Sequence, residues 1–589
     1  MQKILDFIIT ELRSAFRACG YEESYAKVTL SNRPDLCEYQ CNGAMAAAKI
    51  YKKKPIDIAH EVVEQLAGTA MFAEVTAVMP GFINLRLEES YLASYLNRMC
   101  AADKLGLDEV NQPQTIMVDY GGANVAKPLH VGHLRAAVIG ESIKRMGRFI
   151  GHRVIGDVHL GDWGLQMGLI IEELRERKPE LPYFDESYEG EYPTEPPFTI
   201  GELEDIYPTA SGKSKNDEDF KERAQMATFR LQSGYAPYRA IWQHIMNVSL
   251  VDLKKNYDNL NVSFDLWKGE SDAQPYIPEL IQNLMDQGLA YESQGALVVD
   301  VTEETDAKEL PPCIVRKSDG AALYATSDLG TIIEREQNYH PDMYIYVVDK
   351  RQEMHFTQLF RVAKKAGIVG VDTRMRFLGF GTMNGKDGKP FKTRDGGVMR
   401  LETLISDINR EVYARIMENR TVAEDEAEVT ARTVGLAALK YGDLSNQASK
   451  DYVFDIERFI SFEGNTGPYI LYTIVRIKSI LAKYKNSNLQ GDGEAAILPA
   501  KTEAEKSLML ELSKYNEVIE NSFAEIAPHK LCQYIYDLSN ACNRFYHDTK
   551  ILAEEDRAQK NSWIKLITLT KDVLNIGIDL LGIEAPERM

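Results

Sequence analysis

The hydrophobic positions at the start of the chain recur with the spacing of an amphipathic helix. The positions that follow this i, i+3, i+4, i+7 pattern are Ile4, Leu5, Ile8, Ile9, Leu12 and Phe16. A second helical pattern covers 56–66, and PGFINLRL then alternates like a strand with Ile83, Leu85 and Leu87 on one face. These elements predict an N-terminal α+β domain over residues 1–110.

From residue 115 the pattern changes to strands separated by helices. TIMVDY predicts a strand, GGANVAKPLH a loop and VGHLRAAVIGESIKRMGRFIG a helix, and HRVIGDV predicts the next strand. DMYIYVV, a helix after His355 and RFLGFGTM continue the alternation. This order predicts a Rossmann-type parallel α/β sheet over residues 111–400. We expect two insertions, near 178–245 and near 290–320; the acidic, proline-rich stretch 178–225 predicts long loops, and the second insertion is rich in strand-like runs.

The remainder of the chain is helical in pattern. We expect linking helices over 401–454 and a helical bundle over 455–589. The fold class predicted is therefore multidomain, with an α+β domain, a parallel-sheet α/β domain and an all-α domain.

Composition narrows the classes of protein that remain. Hydrophobic residues make up 44% and charged residues 26% of the 589 residues, as in soluble globular proteins. The seven cysteines form no CxxC pair, which argues against a disulfide scaffold and a zinc knuckle. Acidic residues interrupt the first apolar stretch and no long apolar run occurs, so we expect neither a signal peptide nor a membrane span, and a cytoplasmic location. The net charge of −20 argues against a nucleic-acid partner on average, although local patches decide binding.

The segment NVAKPLHVGHLR carries the clearest candidate chemistry. His130 and His133 are three apart, so on a helix that starts there they share one face near its N-terminus. Gly132 allows a ligand to approach the backbone, and a helix N-terminus binds anions. Two imidazole donors at this place suit attack on the α-phosphate of ATP. The alternative is a pair of surface histidines at a helix start.

Two further clusters have an ordinary alternative reading. Lys392 and Arg394 stand beside Gly396 in GKPFKTRDGG, which predicts a basic loop able to close over a triphosphate, or a plain surface turn. Tyr324 and Asp328 are four apart and share a face if helical, as in any amphipathic helix.

The HVGH motif is similar to the HIGH signature of class I aminoacyl-tRNA synthetases, and its flanks resemble the arginyl-tRNA synthetase version. Six more segments resemble that family, in the family's order: GDWGLQMG (161–168), LYATSDLG (323–330), VVDKRQEMHFTQLF (347–360), GKPFKTRDGG (388–397), DIERFISFEGNTGPYI (455–470) and LGIEAPERM (581–589). The resemblance implies ligation of L-arginine to tRNA(Arg) through an arginyl-adenylate, with release of pyrophosphate and AMP.

The same resemblance assigns roles to individual residues. It implies a catalytic set of Lys127, His130, Val131, Gly132, His133, Lys392 and Arg394. It implies ATP contacts from His130, Gly132, His133, Lys392 and Gly396. It implies arginine contacts from Asp119, Asn124, Tyr324, Asp328 and Gln352. FKTRD has Thr393 where the second lysine of the usual KMSKS motif stands, and Lys127 is expected to compensate. Asp157, Asp162 and Trp163 either line the adenosine pocket or close a strand-end turn.

The tRNA contacts implied are less specific. The resemblance assigns the bundle to the anticodon, with Arg476 and Lys478 as candidates, although a basic run is usually a solvated helix face. It assigns residues 401–454 to the stem, and Gln40 and Asn42 of the first domain to the tRNA elbow. We expect Mg²⁺ to accompany ATP, no tightly bound cofactor, no bound metal and a monomer.

Two other functions stay open from the sequence. One is another class I synthetase, such as the cysteinyl enzyme, which would need zinc-ligand cysteines near the site. The other is a synthetase paralogue that binds RNA without catalysis.

Overall fold

The computed structural model describes residues 1–33, 35–317, 324–391, 399–419, 422–486 and 495–589. Its first unit combines four helices with a four-stranded antiparallel sheet of order β1-β2-β4-β3. The helices are α1 (Ile4–Ala18), α2 (Gly43–Tyr51), α3 (Pro55–Leu66) and α4 (Glu89–Ala101), and the strands are β1 (Val28–Leu30), β2 (Tyr39–Cys41), β3 (Phe72–Val78) and β4 (Phe82–Leu87). Ile83, Leu85 and Leu87 on β4 are fully buried, as their alternation predicted.

The central unit contains the parallel sheet, its helices and the insertions. Its helices are α5 (Val131–Phe149), α6 (Leu165–Arg177), α7 (Ile200–Asn216), α8 (Glu218–Gln232), α9 (Ala236–Asn259), α10 (Glu270–Ala273), α11 (Ile277–Asp286), α12 (Tyr324–Tyr339) and α13 (Glu353–Lys365). Its strands are β5 (Thr115–Asp119), β6 (Arg153–Asp157), β7 (Ala290–Ser293), β8 (Ala296–Val299), β9 (Cys313–Arg316), β10 (Met343–Asp349), β11 (Arg374–Phe380) and β12 (Met383–Asn384).

The main sheet has the order β11-β10-β5-β6 and all of its pairs are parallel. Ile345 and Val347 of β10 pack into the core on one face, and Tyr344 and Tyr346 pack into a second core on the other. Burial on both faces is typical of a parallel sheet covered by helices. The insertion strands β7, β8 and β9 form a separate antiparallel sheet, which agrees with their strand-like pattern.

The expectation of long loops over 178–225 is wrong from residue 200 onward, where α7 and α8 form. Thr199 and Glu202 make a reciprocal cap at the start of α7, a T-x-x-E signal that the acidic composition obscured. Basic residues of α6 and α7 also pair with acidic neighbours: Arg177 with Asp205 and Lys213 with Glu173, both at 2.7 Å. Pairing of this kind depends on helices coming together, so composition does not reveal it.

The rest of the chain is helical, as predicted. Its helices are α14 (Leu401–Asn419), α15 (Glu424–Leu444), α16 (Ile456–Phe459), α17 (Gly467–Asn486), α18 (Glu503–Ser513), α19 (Tyr515–Ala524), α20 (Pro528–Asp548) and α21 (Arg557–Leu580), and β13 (Tyr452–Val453) pairs with β12. Buried Lys440 of α15 donates to the carbonyl of Leu260 (2.7 Å) and to that of Gly582 (2.8 Å), joining the central unit to the tail. Within the described ranges, every helix is either too short or too polar to span a lipid bilayer.

Candidate functional site

A cleft of about 770 Å³ opens at the C-terminal edge of the parallel sheet, where ligands of such sheets bind. Helix α5 starts on one side of it, and helices α12 and α13 contribute the other. The structure brings together most of the residues predicted for ATP and arginine. The predicted residues that line the cleft are Asp119, His130, Val131, Gly132, His133, Tyr324, Asp328 and Gln352.

The two histidines cap the start of α5 with their own rings. His130 Nδ1 accepts a hydrogen bond from the backbone N–H of Gly132 (3.0 Å), and His133 Nδ1 accepts one from the backbone N–H of His130 (3.1 Å). A neutral imidazole has one donor and one acceptor nitrogen, so each ring carries its proton on Nε2. The capping contacts therefore fix both rings as hydrogen-bond donors to a ligand in the cleft.

The same two rings are held in the uncharged form. The pKa of His133 is lowered to about 3, first by burial and then by the nearby His130 and Lys127. Burial, and then Lys127, also lower the pKa of His130. The ring centroids are 3.9 Å apart, so a charge on one ring would oppose a charge on the other. At neutral pH the site offers two neutral donors beside one lysine.

Lys127 and Asn124 lie on the loop before α5. The Lys127 ammonium sits 4.3 Å from the centre of the Tyr207 ring of α7. A cation over an aromatic face is stabilised by the ring quadrupole, so Tyr207 holds the lysine beside the histidines. Asn124 forms a backbone bridge with Gly161, and its side-chain oxygen occupies the space that a Cβ at Gly161 would need.

Asp328 lies on α12 and faces two histidines that the sequence analysis did not select. Its Oδ2 accepts a hydrogen bond from His355 Nε2 at 2.6 Å, and its Oδ1 lies 3.9 Å from His159 Nε2. His355 follows Gln352 by three residues, in a segment already assigned to the site. Because residues three apart share one face of a helix, this spacing could have identified His355 as a site residue. Tyr324, at the first turn of α12, is 74% exposed at the mouth of the cleft.

Asp119 is held by an arginine that is far away in sequence. Arg335 is fully buried and donates to Asp119 Oδ2 at 2.6 Å, to Asp157 Oδ2 at 2.7 Å and to the Tyr346 hydroxyl at 3.3 Å. Burial raises the pKa of Asp119 and Arg335 opposes that rise. The arginine therefore favours the charged form of Asp119 and holds the C-terminal end of β5 in place.

Glu270 at the start of α10 is a further carboxylate of this neighbourhood. The pKa of Glu270 is raised to about 7, mainly by burial; His159 opposes this rise, and Asp162 and Asp328 add to it. Nothing in the local pattern GES marked this residue, because its importance depends on which loops approach it.

The remaining candidates near GDWG include a tryptophan as well as acids, and they are hydrogen-bonded within the fold. Asp162 accepts hydrogen bonds from the hydroxyl (2.6 Å) and the backbone N–H (3.0 Å) of Ser271. Trp163 donates from Nε1 to Gln274 at 3.2 Å. Asp157, Asp162 and Trp163 are buried, which favours their reading as a strand-end turn.

Lys392, Thr393, Arg394 and Gly396 lie outside the described residues. Phe391, which precedes them, lines the cleft. After them, the backbone carbonyl of Met399 accepts a hydrogen bond from the N–H of Val131 at 3.2 Å. Both described ends of this segment thus adjoin the site.

The tRNA candidates have local partners. Gln40 donates from its side-chain amide to Asn84 Oδ1 at 2.8 Å, and Asn42 is exposed just before α2. Arg476 donates to Asn543 at 2.7 Å with its guanidinium over the rings of two tyrosines. Lys478 donates to Glu587 at 2.7 Å, so it also anchors the C-terminal segment.

Comparisons with known proteins match this chain over nearly its whole length. The family model described as "tRNA synthetases class I (R), catalytic domain" matches residues 96–456, "Arginyl tRNA synthetase N terminal domain" matches 3–87 and "DALR anticodon binding domain" matches 470–589. Arginine–tRNA ligases of Agathobacter rectalis and Alkaliphilus oremlandii are 61% and 59% identical, with the whole of both chains covered. The arginyl-tRNA synthetase structures of Plasmodium falciparum and Thermus thermophilus share the fold, with TM-scores of 0.82 and 0.79 at 24% and 23% identity over the whole of each chain.

Proposed function

The chain belongs to the arginyl branch of the class I tRNA synthetases, and from that premise we propose how its residues join L-arginine to tRNA(Arg) with ATP. The family resemblance, the fold class and the assignment as an arginine–tRNA ligase are confirmed by the family match and by the full-length relatives. The observation that carries the proposal is the cleft itself, which joins two imidazole donors at a helix start to an acidic pocket around Asp328.

In the first step the arginine carboxylate attacks the α-phosphorus of ATP, arginyl-adenylate forms and pyrophosphate leaves. The Nε2–H groups of His130 and His133 donate to the α-phosphate oxygens as negative charge builds up there. Because both imidazoles are uncharged, they bind the α-phosphate only weakly in the ground state. They therefore stabilise the transition state more than they stabilise bound ATP. Lys127 supplies the positive charge, together with Lys392 and Arg394. Mg²⁺ would accompany ATP and offset part of the triphosphate charge.

In the second step a terminal ribose hydroxyl of tRNA attacks the arginyl carbonyl and AMP leaves. Asn124 and Asp119 hold the carboxylate and ammonium ends of arginine during both steps. Arg335 contacts Oδ2 of Asp119, and the α-ammonium group approaches Oδ1.

The guanidinium lies against Asp328, with Tyr324 and Gln352 beside it. A planar guanidinium fork matches a carboxylate with two parallel hydrogen bonds, which an ammonium does not. This geometry favours arginine over lysine.

Recognition of tRNA uses both ends of the chain. Arg476 and Lys478 contact the anticodon region, residues 401–454 contact the stem, and Gln40 and Asn42 contact the elbow. We place the enzyme in the cytoplasm and expect it to act as a monomer.

ATP–pyrophosphate exchange tests the proposal. Each amino acid is supplied in turn, with and without tRNA(Arg), and only arginine should support exchange. Pyrophosphate exchange that depends on another amino acid would show that the enzyme is specific for that amino acid and not for arginine. Binding of tRNA without exchange under any condition would identify an RNA-binding paralogue.

A further inference from the structure

His159 stands out in the cleft because its buried ring makes no hydrogen bond to any residue that the structure describes. It follows β6 and lines the cleft, and only 14% of its side chain is exposed. Both ring nitrogens are buried, and within the described ranges neither has a hydrogen-bond partner. A buried polar atom without a partner costs about 1–3 kcal/mol, so such atoms are uncommon unless a ligand satisfies them.

The backbone at His159 is also in an unfavourable conformation. Its φ is 39°, in the left-handed region that residues with a Cβ seldom adopt. Strain of this kind persists where the surrounding structure imposes it, and it is concentrated at binding and catalytic sites. The strained residue here is the one that presents an unpartnered ring to the cleft.

The surroundings of the ring carry more negative than positive charge. The carboxyl groups of Asp119, Asp162 and Glu270 lie near the ring, and His159 Nε2 is 3.9 Å from Asp328 Oδ1. Among the residues that the structure describes, Arg335 is the one buried cation that contacts any of these acids. Its guanidinium is shared between Asp119 and Asp157. A pocket of this composition takes a cationic ligand that donates several hydrogen bonds.

We propose that His159 is an arginine-specificity residue, whose ring nitrogen accepts a hydrogen bond from the substrate guanidinium while Asp328 binds it. A guanidinium has five N–H donors and no acceptor, so one carboxylate leaves three donors to satisfy. The 3.9 Å separation places the imidazole acceptor beside the carboxylate. This assignment rests on the proposed arginine pocket.

The test compares two variants of the full-length enzyme. His159→Leu removes the acceptor, and His159→Gln keeps an acceptor at a similar reach. Neither leucine nor glutamine favours a positive φ, so the backbone cost is matched. We expect the leucine variant to raise the KM for arginine about 10- to 100-fold, the range for a hydrogen bond to a charged group, with the KM for ATP unchanged. The glutamine variant should stay within about fivefold of the parent.

His244→Leu is the matched control. His244 is also a buried histidine, but its Nε2 pairs with the Tyr183 hydroxyl at 2.8 Å, and it does not line the cleft. This variant should lower stability without changing the KM for arginine. If His159→Leu does not fold, His159→Ala is measured with and without added imidazole, which should restore arginine affinity.

Three results would overturn the proposal. They are an arginine KM in His159→Leu within twofold of the parent, an equal rise in the KM values for arginine and ATP, and a glutamine variant as impaired as the leucine variant. Pyrophosphate exchange by the parent enzyme is measured in the same assay, so loss of the proposed function would be seen separately.

Discussion

Replacing Arg335 by methionine tests whether one buried cation holds the end of the parallel sheet together. Methionine fills a similar length without charge. The change removes the hydrogen bonds to Asp119 (2.6 Å) and Asp157 (2.7 Å), and both acidic residues are buried. Two buried carboxylates are then left without a cation.

The magnitude follows from that burial. Breaking a buried ion pair by removing one partner costs about 3–5 kcal/mol. At roughly 2–4 °C per kcal/mol for a domain of this size, the unfolding midpoint of the central unit should fall by about 10 °C.

This loss of stability should depend on pH. Burial already raises the pKa of Asp119, and removing Arg335 raises it further. An acid with a raised pKa in the folded state destabilises the fold more as pH rises, so the deficit should be larger at about pH 8 than at about pH 5.5.

Thermal unfolding of the parent and the variant at both pH values is the assay. Arg432→Met is the control, because Arg432 forms an exposed pair with Glu428 one helical turn away and should change stability by less than about 0.5 kcal/mol. A midpoint for Arg335→Met within about 1 °C of the parent, or a deficit that grows as pH falls, would refute the reasoning.

Three further predictions concern the chemistry. His133→Ala removes a neutral donor to the transition state and should slow adenylate formation about 10²–10³-fold with little change in arginine affinity, measured by pyrophosphate exchange; weaker arginine binding with normal turnover would contradict this role. Lys127→Ala should slow adenylate formation far more than Thr393→Ala does. Equal losses of rate in a single-turnover assay would show that Lys127 does not replace the missing KMSKS lysine. Asp328→Asn should reduce arginine use about tenfold to a hundredfold with the KM for ATP unchanged, and a normal arginine KM and kcat would move the guanidinium contact elsewhere.

The sequence by itself determined many of the elements, including the helix start that carries His130 and His133. The periodicity of residues 4–16 and the alternation along β4 are local properties, so they predicted α1 and the buried face of the strand without knowledge of the rest. The start of α5 could be predicted for the same reason. Its two capping residues, His130 and His133, lie within one turn of each other. Asp328 and Gln352 belong to segments with a family resemblance and both line the cleft, while their contact with arginine stays a prediction.

Only the tertiary structure decided which charged groups meet. Arg335 is 216 residues from Asp119 and 178 from Asp157, and no local pattern relates positions so far apart. His159 and Glu270 come beside Asp328 only through the loops that the fold brings together, and Asp205 of α7 meets Arg177 of α6 only once these helices pack. Helix and strand periodicity is set by neighbours along the chain, whereas the pairing of buried charges is set by which segments the fold brings within a few ångströms, where desolvation makes each unpaired group costly.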